Sequence, residues 1–343
     1  MKAAVLHGFR APIVIEEVPL PIPQENEVVI AVEACGVCHS DLHVAEGDWK
    51  QFAEIVKRPL ILGHEIAGRI AELGPAVRDL KIGDRVGVPW LHWTCGECEF
   101  CREGNENLCQ KQKITGVTVD GGYAEALKAP ASHVMRIPES LSSDEAAPLF
   151  CAGLTVYRAL RQAMISAGQR VAVFGIGGLG HLAVQIGRAM DAEIFAVDVS
   201  EEKLALARSL GASLALNATS SRVTKELRAR GGMHVALVTS AANAAYETAF
   251  SCVRAGGKLL AVGLPGHDIC FPPILMASKE IRIQATAVGT REDLGQVLRM
   301  AAAGKVRCQT TTRQLNEVNS VFEQLRRGEI SGRVILKPNG TGH

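Results

Sequence analysis

The sequence has no surplus of one charge, no leader-like start and no long unbroken apolar run. Its 37 Lys and Arg are matched by 36 Asp and Glu, a net charge of +1. No basic stripe is there to hold nucleic acid. The first residues lack the charged-then-apolar pattern of a secretory signal. The longest apolar stretch, residues 171–187, is broken by glycines and reads as strand, turn and helix rather than a membrane span. A soluble, cytoplasmic protein without nucleic-acid or membrane partners is expected. At 343 residues the chain has room for two domains, each with its own core.

Cysteine, by contrast, is plentiful, with ten in the chain. In a reducing compartment, clustered cysteines are more often metal ligands than disulfides. Four form the series Cys95-x2-Cys98-x2-Cys101-x7-Cys109. Thiolates at this spacing wrap one tetrahedral ion with no open position, as in a structural zinc site; iron–sulfur ligation uses similar spacings. Cys35, Cys252, Cys270 and Cys308 have no partner spacing and read as core thiols.

A second group surrounds Cys38-His39-Ser40-Asp41-Leu42-His43 and Gly63-His64-Glu65. A catalytic zinc needs three protein ligands and one position left open. Cys38 and His64 are two of the right types, and Cys151 is the candidate for the third.

Residues 1–35 alternate in short runs, Lys2–Leu6, Ile13–Val18 and Val28–Glu33, parted by Pro19, Pro21 and Pro23. They predict a small β-rich unit. Asp41 to His43 should start a helical turn, and Ile66–Leu73 and Val86–Val88 should be strands. Ser142-x-x-Glu145 is a capping box, and Pro148 should break the following helix just before Cys151. Then Arg170–Phe174 is an apolar strand, followed at once by Gly175-Ile176-Gly177-Gly178-Leu179-Gly180 and a helix to Met190. Asp198 closes the next strand, Glu193–Val199, about 20 residues beyond the glycines. That context turns a weak glycine pattern into a dinucleotide-binding fingerprint. Further strands at Ser213–Leu216, His234–Thr239, Lys258–Gly263 and Ile281–Val288 bring the count to six, a complete doubly wound sheet. A helix near Leu294–Ala303 and a last strand, Gly332–Leu336, should return the chain to the first domain.

The spacing Gly63-His64-Glu65-x2-Gly68-x5-Gly74, with the motifs above, resembles the signature of the zinc-containing medium-chain alcohol dehydrogenases, nearly end to end. The resemblance decides the four-cysteine series for zinc. It implies an α/β protein with a discontinuous, β-rich, GroES-like catalytic domain, 1–152 and 289–343, carrying a structural zinc lobe at 92–112. A Rossmann cofactor domain would fill 153–288. It also implies two zinc ions per chain, NAD, hydride transfer between a primary or small secondary alcohol and the nicotinamide, and a homo-oligomer, a tetramer in bacterial and yeast relatives.

Residue by residue, Cys38, His64 and Cys151 look like the catalytic zinc ligands, and Glu65 like a carboxylate that can ligate transiently. Asp41 looks like the acid that fixes the His64 ring. Ser40 and His43 resemble a proton relay running through the cofactor ribose. The family often has Thr at the Ser40 position, and the hydroxyl is kept here. His39 and Arg333 resemble pyrophosphate contacts; Thr155, Val262 and Val288 look like nicotinamide neighbours, and Lys203 resembles a ribose contact. Trp49 and Trp90 resemble the walls of a narrow pocket for small alcohols. A polyol, sugar or amino-alcohol dehydrogenase of the same superfamily is the alternative. A silent zinc- and nucleotide-binding protein is a third reading, and it would be expected to lose a ligand or relay residue.

Overall fold

A computed structural model describes residues 1–340. They form two compact units. One comprises Met1–Leu154, Thr290–Ala302 and residues 308–340, the other Thr155–Gly289 and Ala303–Arg307.

The first unit is organised on the strand Glu27–Gly36. This strand pairs antiparallel with Glu65–Leu73, with Ala126–Pro130 along its first half, and with Arg333–Lys337 at its end. Arg85–Val88 and Met135–Arg136 extend one side of the sheet. On the other side Thr310–Gln314 lies parallel to the last strand. A smaller sheet sets Lys2–Leu6 between Val14–Glu17 and Leu60–Ile61. Leu6, Ile30, Leu60, Leu62, Ile66 and Tyr123 are fully buried in its core. Each such aliphatic side chain stabilises the fold by roughly 1.5–3 kcal/mol.

Three local features place the chemistry-bearing residues. The strand Glu27–Gly36 runs straight into the helix His39–Glu46, with Cys38 as its N-cap. The helix starts earlier than Asp41 because the Asp41 carboxylate turns back to accept the Cys38 backbone N–H at 2.9 Å. Ser142 and Glu145 form the expected capping box over a short helix, Ser143–Ala146. Pro148 lies in a 3₁₀ turn, Ala147–Phe150, and Cys151 sits at the break before a new helix, Ala152–Gln162. The cysteine lobe has only short helical turns, Glu99–Arg102 and Glu106–Leu108. Its neck is the pairing of Leu91–Trp93 with Lys113–Ile114.

The second unit is a six-stranded, wholly parallel sheet. Its order is Leu214–Asn217, Glu193–Asp198, Arg170–Phe174, Met233–Val238, Val253–Ala261, Arg282–Ala285. The chain reverses direction of travel beside Arg170–Phe174, so the loop after that strand opens at a topological switch point, where doubly wound sheets bind ligands.

Two expectations need correction. Cys270 is exposed, not a core thiol; it lies outside any helix or strand, in the segment before the helix Pro273–Lys279. The strand Thr310–Gln314 was not anticipated. Its side chains, Thr-Thr-Thr-Arg-Gln, are all exposed or half-buried, so it carries no apolar alternation to reveal it.

Candidate active site

In the first unit Cys38, His64 and Cys151 come together from a helix cap, the start of a strand and a helix break. Their donor atoms all lie within 4.8 Å of one another, and all three residues are buried. Bonds of about 2.0 Å to nitrogen and 2.3 Å to sulfur around one ion need separations of this order. His64 Nε2 is 3.3 Å from Cys151 Sγ. On its other side, His64 Nδ1 donates to Asp41 Oδ1 at 2.9 Å, which leaves Nε2 as the free donor atom for a metal. Burial pulls the His64 pKa down, but the Asp41 carboxylate and Cys38 outweigh it and raise it. Hydrogen bonding from Cys151, helped by the Arg333 guanidinium, holds the Cys38 thiol well below its ordinary value despite burial. Soft, ionisable sulfur beside an oriented imidazole is the donor chemistry that suits zinc.

Glu65 is fully buried beside this trio, where burial pushes its carboxyl up to about 7 against the pull of Arg333. One of its oxygens accepts from Arg333 Nη2 at 2.5 Å; the other, Oε2, is buried without a partner. A carboxylate with one spare oxygen at this place fits an occasional ligand. Arg333, expected beside a pyrophosphate, is 4% exposed and also reaches Cys38 Sγ at 3.5 Å.

Trp90 sets its ring edge against His64, with centroids 4.8 Å apart. Trp49 lies against His43 at 4.9 Å. His43 Nδ1 is 3.0 Å from Asp48 Oδ2, a partner that no motif signalled. Ser40 is half-buried on the first turn of the same helix, and His39 is exposed.

The four lobe cysteines also converge, their sulfurs within 4.8 Å of one another. Backbone N–H groups of Glu97 and Cys98 hold the Cys95 thiol down to about 6. Two clamps fasten the lobe to the rest of its unit. Thr94 donates its backbone N–H to His133 Nε2 at 3.1 Å. Glu106, between the third and fourth cysteines, receives the Arg291 guanidinium and backbone N–H.

In the second unit, Gly175 has φ +95°, open to glycine at no steric cost. A Cβ on Gly180 would meet the Gly175 carbonyl at 1.8 Å, so the helix packs tightly on the strand end. A Cβ on Gly177 would meet nothing within 4 Å, which leaves its backbone open to a pyrophosphate. Gly178 and Leu179 complete the turn ahead of the helix Gly180–Ala189. The Asp198 carboxylate accepts the backbone N–H of Ile176, inside the glycine loop, at 2.5 Å, and that of Ser200 at 2.9 Å. It therefore braces the loop. Lys203 is half-buried on the following helix, Glu201–Ser209. Thr155 and Val262 are buried, and Val288 is half-buried with φ +46°, a strained setting for a β-branched residue.

Sequence reasoning missed two residues that touch this machinery closely, Tyr123 and Asp48. The Tyr123 hydroxyl donates to Asp41 Oδ2 at 2.8 Å, and burial, with the nearby Asp41 charge, raises its pKa. Gly121-Gly122 ahead of it was the only signal available.

The chain matches two family descriptions, "Alcohol dehydrogenase GroES-like domain" over residues 24–139 and "Zinc-binding dehydrogenase" over residues 178–303. An alcohol dehydrogenase of Geobacillus stearothermophilus is 45% identical over 338 residues, 98% of this chain and 99% of the relative. One from Rhizobium meliloti (strain 1021) is 45% identical over 341 residues, 99% of each. The solved alcohol dehydrogenase of Aeropyrum pernix superposes with a TM-score of 0.91 at 36% identity, covering 98% of this chain and all of the other. An acetophenone reductase from Geotrichum candidum, solved with NAD, gives 0.89 at 28% identity, covering 98% and 96%. With its motifs, its fold and these relatives in agreement, the chain belongs to the zinc-containing medium-chain alcohol dehydrogenases.

Proposed function

We propose that this enzyme oxidises primary or small secondary alcohols with NAD and runs the reverse reduction of aldehydes and small ketones. The first unit would serve as the catalytic domain and the second as the cofactor domain. The observation that carries the reading is the buried trio Cys38, His64 and Cys151, whose donors point at one place. A zinc ion held there supplies Lewis acidity that favours loss of the hydroxyl proton, and NAD in the second unit supplies the hydride acceptor.

The chain's own residues do the rest. Asp41 keeps the His64 ring in one tautomer and orientation. Glu65 provides a spare oxygen during exchange of ligands, and Arg333 balances its charge. Ser40 takes the substrate proton at the buried end, and His43, its ring oriented by Asp48 at 3.0 Å, passes it towards solvent. Trp90 and Trp49 supply apolar walls, which favours small alcohols over polyols. In the second unit Gly175, Gly177, Gly178, Leu179 and Gly180 cradle the pyrophosphate at the helix start, with His39 and Arg333 as further proposed contacts. Asp198 and Lys203 hold the adenosine ribose, while Thr155, Val262 and Val288 flank the nicotinamide. Cys95, Cys98, Cys101 and Cys109 hold a second, structural zinc. A cytoplasmic homo-oligomer, with four subunits as in the bacterial and yeast members of the family, completes the proposal.

NADH formation with ethanol, butanol and sorbitol tests this. Strong activity with the two alcohols supports it. Activity with sorbitol alone would place the enzyme among polyol dehydrogenases, and none with any of the three would refute the reading.

A further inference from the structure

We propose that Tyr123 is a positioning residue for the metal ligand His64, acting through Asp41. The tyrosine ring is fully buried, where phenylalanine would pack equally well, so its hydroxyl needs its own explanation. That hydroxyl donates to Asp41 Oδ2 at 2.8 Å. Asp41 thus receives four donors from three stretches of chain. Oδ1 takes His64 Nδ1 at 2.9 Å and the Gly63 N–H at 3.3 Å. Oδ2 takes the Cys38 N–H at 2.9 Å and Tyr123. An ionised carboxylate has about four acceptor sites, so this one is full. Each oxygen is held from two directions, and the plane that aims Oδ1 at the imidazole is fixed.

The surroundings are shaped to bring the hydroxyl there. The backbone of residues 121–123 is laid against that of 61–63, with Gly121 N–H donating to Ile61 O at 2.7 Å, Gly122 to Gly63 O at 2.9 Å and Tyr123 to Leu62 O at 2.9 Å. Gly63, next to the ligand His64, has φ +94°, and a Cβ there would fall 2.5 Å from the Tyr123 ring. The glycine ahead of the ligand histidine is therefore required twice over, by its backbone and by the tyrosine that occupies the space of its missing side chain. Without the hydroxyl, Oδ2 keeps only one donor on a carboxylate that is 1% exposed. The carboxylate then rocks, and with it the His64 ring, whose Nε2 must stay aimed at the cysteine sulfurs.

Partners one layer outside a metal ligand change metal affinity by about 10–100-fold. Tyr123 is one layer further out, so Tyr123→Phe should speed metal release by roughly three- to tenfold, a fraction of that effect. The proposal rests on the metal reading of Cys38, His64 and Cys151, and the experiment separates the two. Zinc release from the purified holoenzyme is followed with a chromogenic chelator in wild type, Tyr123→Phe, Asp41→Ala, the double variant and Cys38→Ser. The phase missing in Cys38→Ser belongs to the buried trio; if no phase is missing, the metal reading itself fails. With the phase identified, Tyr123→Phe should accelerate it while leaving the four-cysteine phase unchanged. In the Asp41→Ala background, where no side-chain acceptor is left for the hydroxyl, the same substitution should add nothing, because the contact can be lost only once. Unchanged release, equal acceleration of both phases, or additive effects in the double variant would each overturn the proposal. Should Tyr123→Phe fail to fold, 3,5-difluorotyrosine at position 123 supplies the second test. It is a stronger donor of the same shape, so release must slow; unaltered release overturns the inference.

Discussion

Breaking the ion pair between Arg333 and Glu65 is expected to be among the costliest single changes in the first unit. The two side chains are 5% and 0% exposed and 2.5 Å apart, so neither charge has water to fall back on. Removing one partner of a buried pair costs about 3–5 kcal/mol, whereas replacing both by apolar or neutral groups is often nearly neutral. The two single variants should also differ. Arg333→Met leaves Glu65 without its counter-charge, and a carboxyl already pushed up to about 7 keeps its proton still further up the scale. A folded-state pKa above the unfolded value of 4.5 means the folded chain binds the proton that the unfolded chain has released. The Arg333→Met penalty is therefore smallest near pH 4.5 and grows as pH rises through neutrality. Glu65→Gln keeps an acceptor for Arg333, whose charge is still met by Cys38 3.5 Å away. Its loss should be at the low end of the range.

Urea unfolding followed by tryptophan fluorescence reads this directly, because Trp49, Trp90 and Trp93 all lie in the first unit. At about 2–4 °C per kcal/mol for domains of similar size, the equivalent melting shift is roughly 6–20 °C. The double variant should lose less than the sum of the singles by about 2 kcal/mol or more. Strictly additive losses would show that the two charges do not depend on each other, and the reasoning would fail.

Further expectations concern other parts of the chain. Elemental analysis of protein purified without added metal should give close to two zinc ions; Cys98→Ala should lower both content and thermal stability, because closed structural sites contribute folding energy directly, whereas Cys38→Ala should abolish turnover with far less damage to the fold. The Asp198 carboxylate should disfavour a phosphate on the ribose, so the enzyme should prefer NAD to its phosphorylated form; Asp198→Gly should narrow or invert that preference and raise the KM for NAD by roughly ten- to a hundredfold, since hydrogen bonds to charged groups are worth about 1.5–3 kcal/mol, and an unchanged preference in steady-state kinetics counts against the ribose assignment. His133 is pushed from 6.5 down to about 4, chiefly by burial, and its bare Nε2 accepts the Thr94 N–H. The unfolded chain then takes the proton first, so stability should fall by roughly 3 kcal/mol as pH drops from about 6.5 to about 4. His133→Gln, which keeps an acceptor but no titrating ring, should flatten that slope in melting curves, and an unaltered slope would exclude His133 as its source.

The parts legible in the sequence were those whose geometry is local. Four cysteines within fifteen positions, or three glycines between a strand and a helix, constrain their own arrangement, and the structure gathers each group as its spacing implies. Pro148 likewise announced the break that presents Cys151. What stayed hidden depends on contacts between distant stretches. Nothing near Glu106 points to Arg291, 185 positions away. Tyr123 reaches Asp41 across 82 positions only because two glycine-bearing segments lie backbone to backbone. Arg333 could be placed near the site by resemblance, but its pairing with Glu65 depends on the last strand joining Glu27–Gly36 at Cys35 and Gly36.

The Glu106–Arg291 clamp bears on how the cysteine lobe could be redesigned. A lobe that only closed a long loop could be cut out and bridged by a short linker, at a cost set by chain entropy alone. Here the excised piece would take with it the carboxylate that grips the residue where the chain re-enters the first unit, at the head of the helix Arg291–Ala302. Arg291 also donates to the Ser132 carbonyl at 2.6 Å, beside His133, so both clamps of the lobe converge on one corner. A minimised version of this protein would have to rebuild that corner, with a new acid for Arg291 and a new donor for His133, before the metal could be dispensed with.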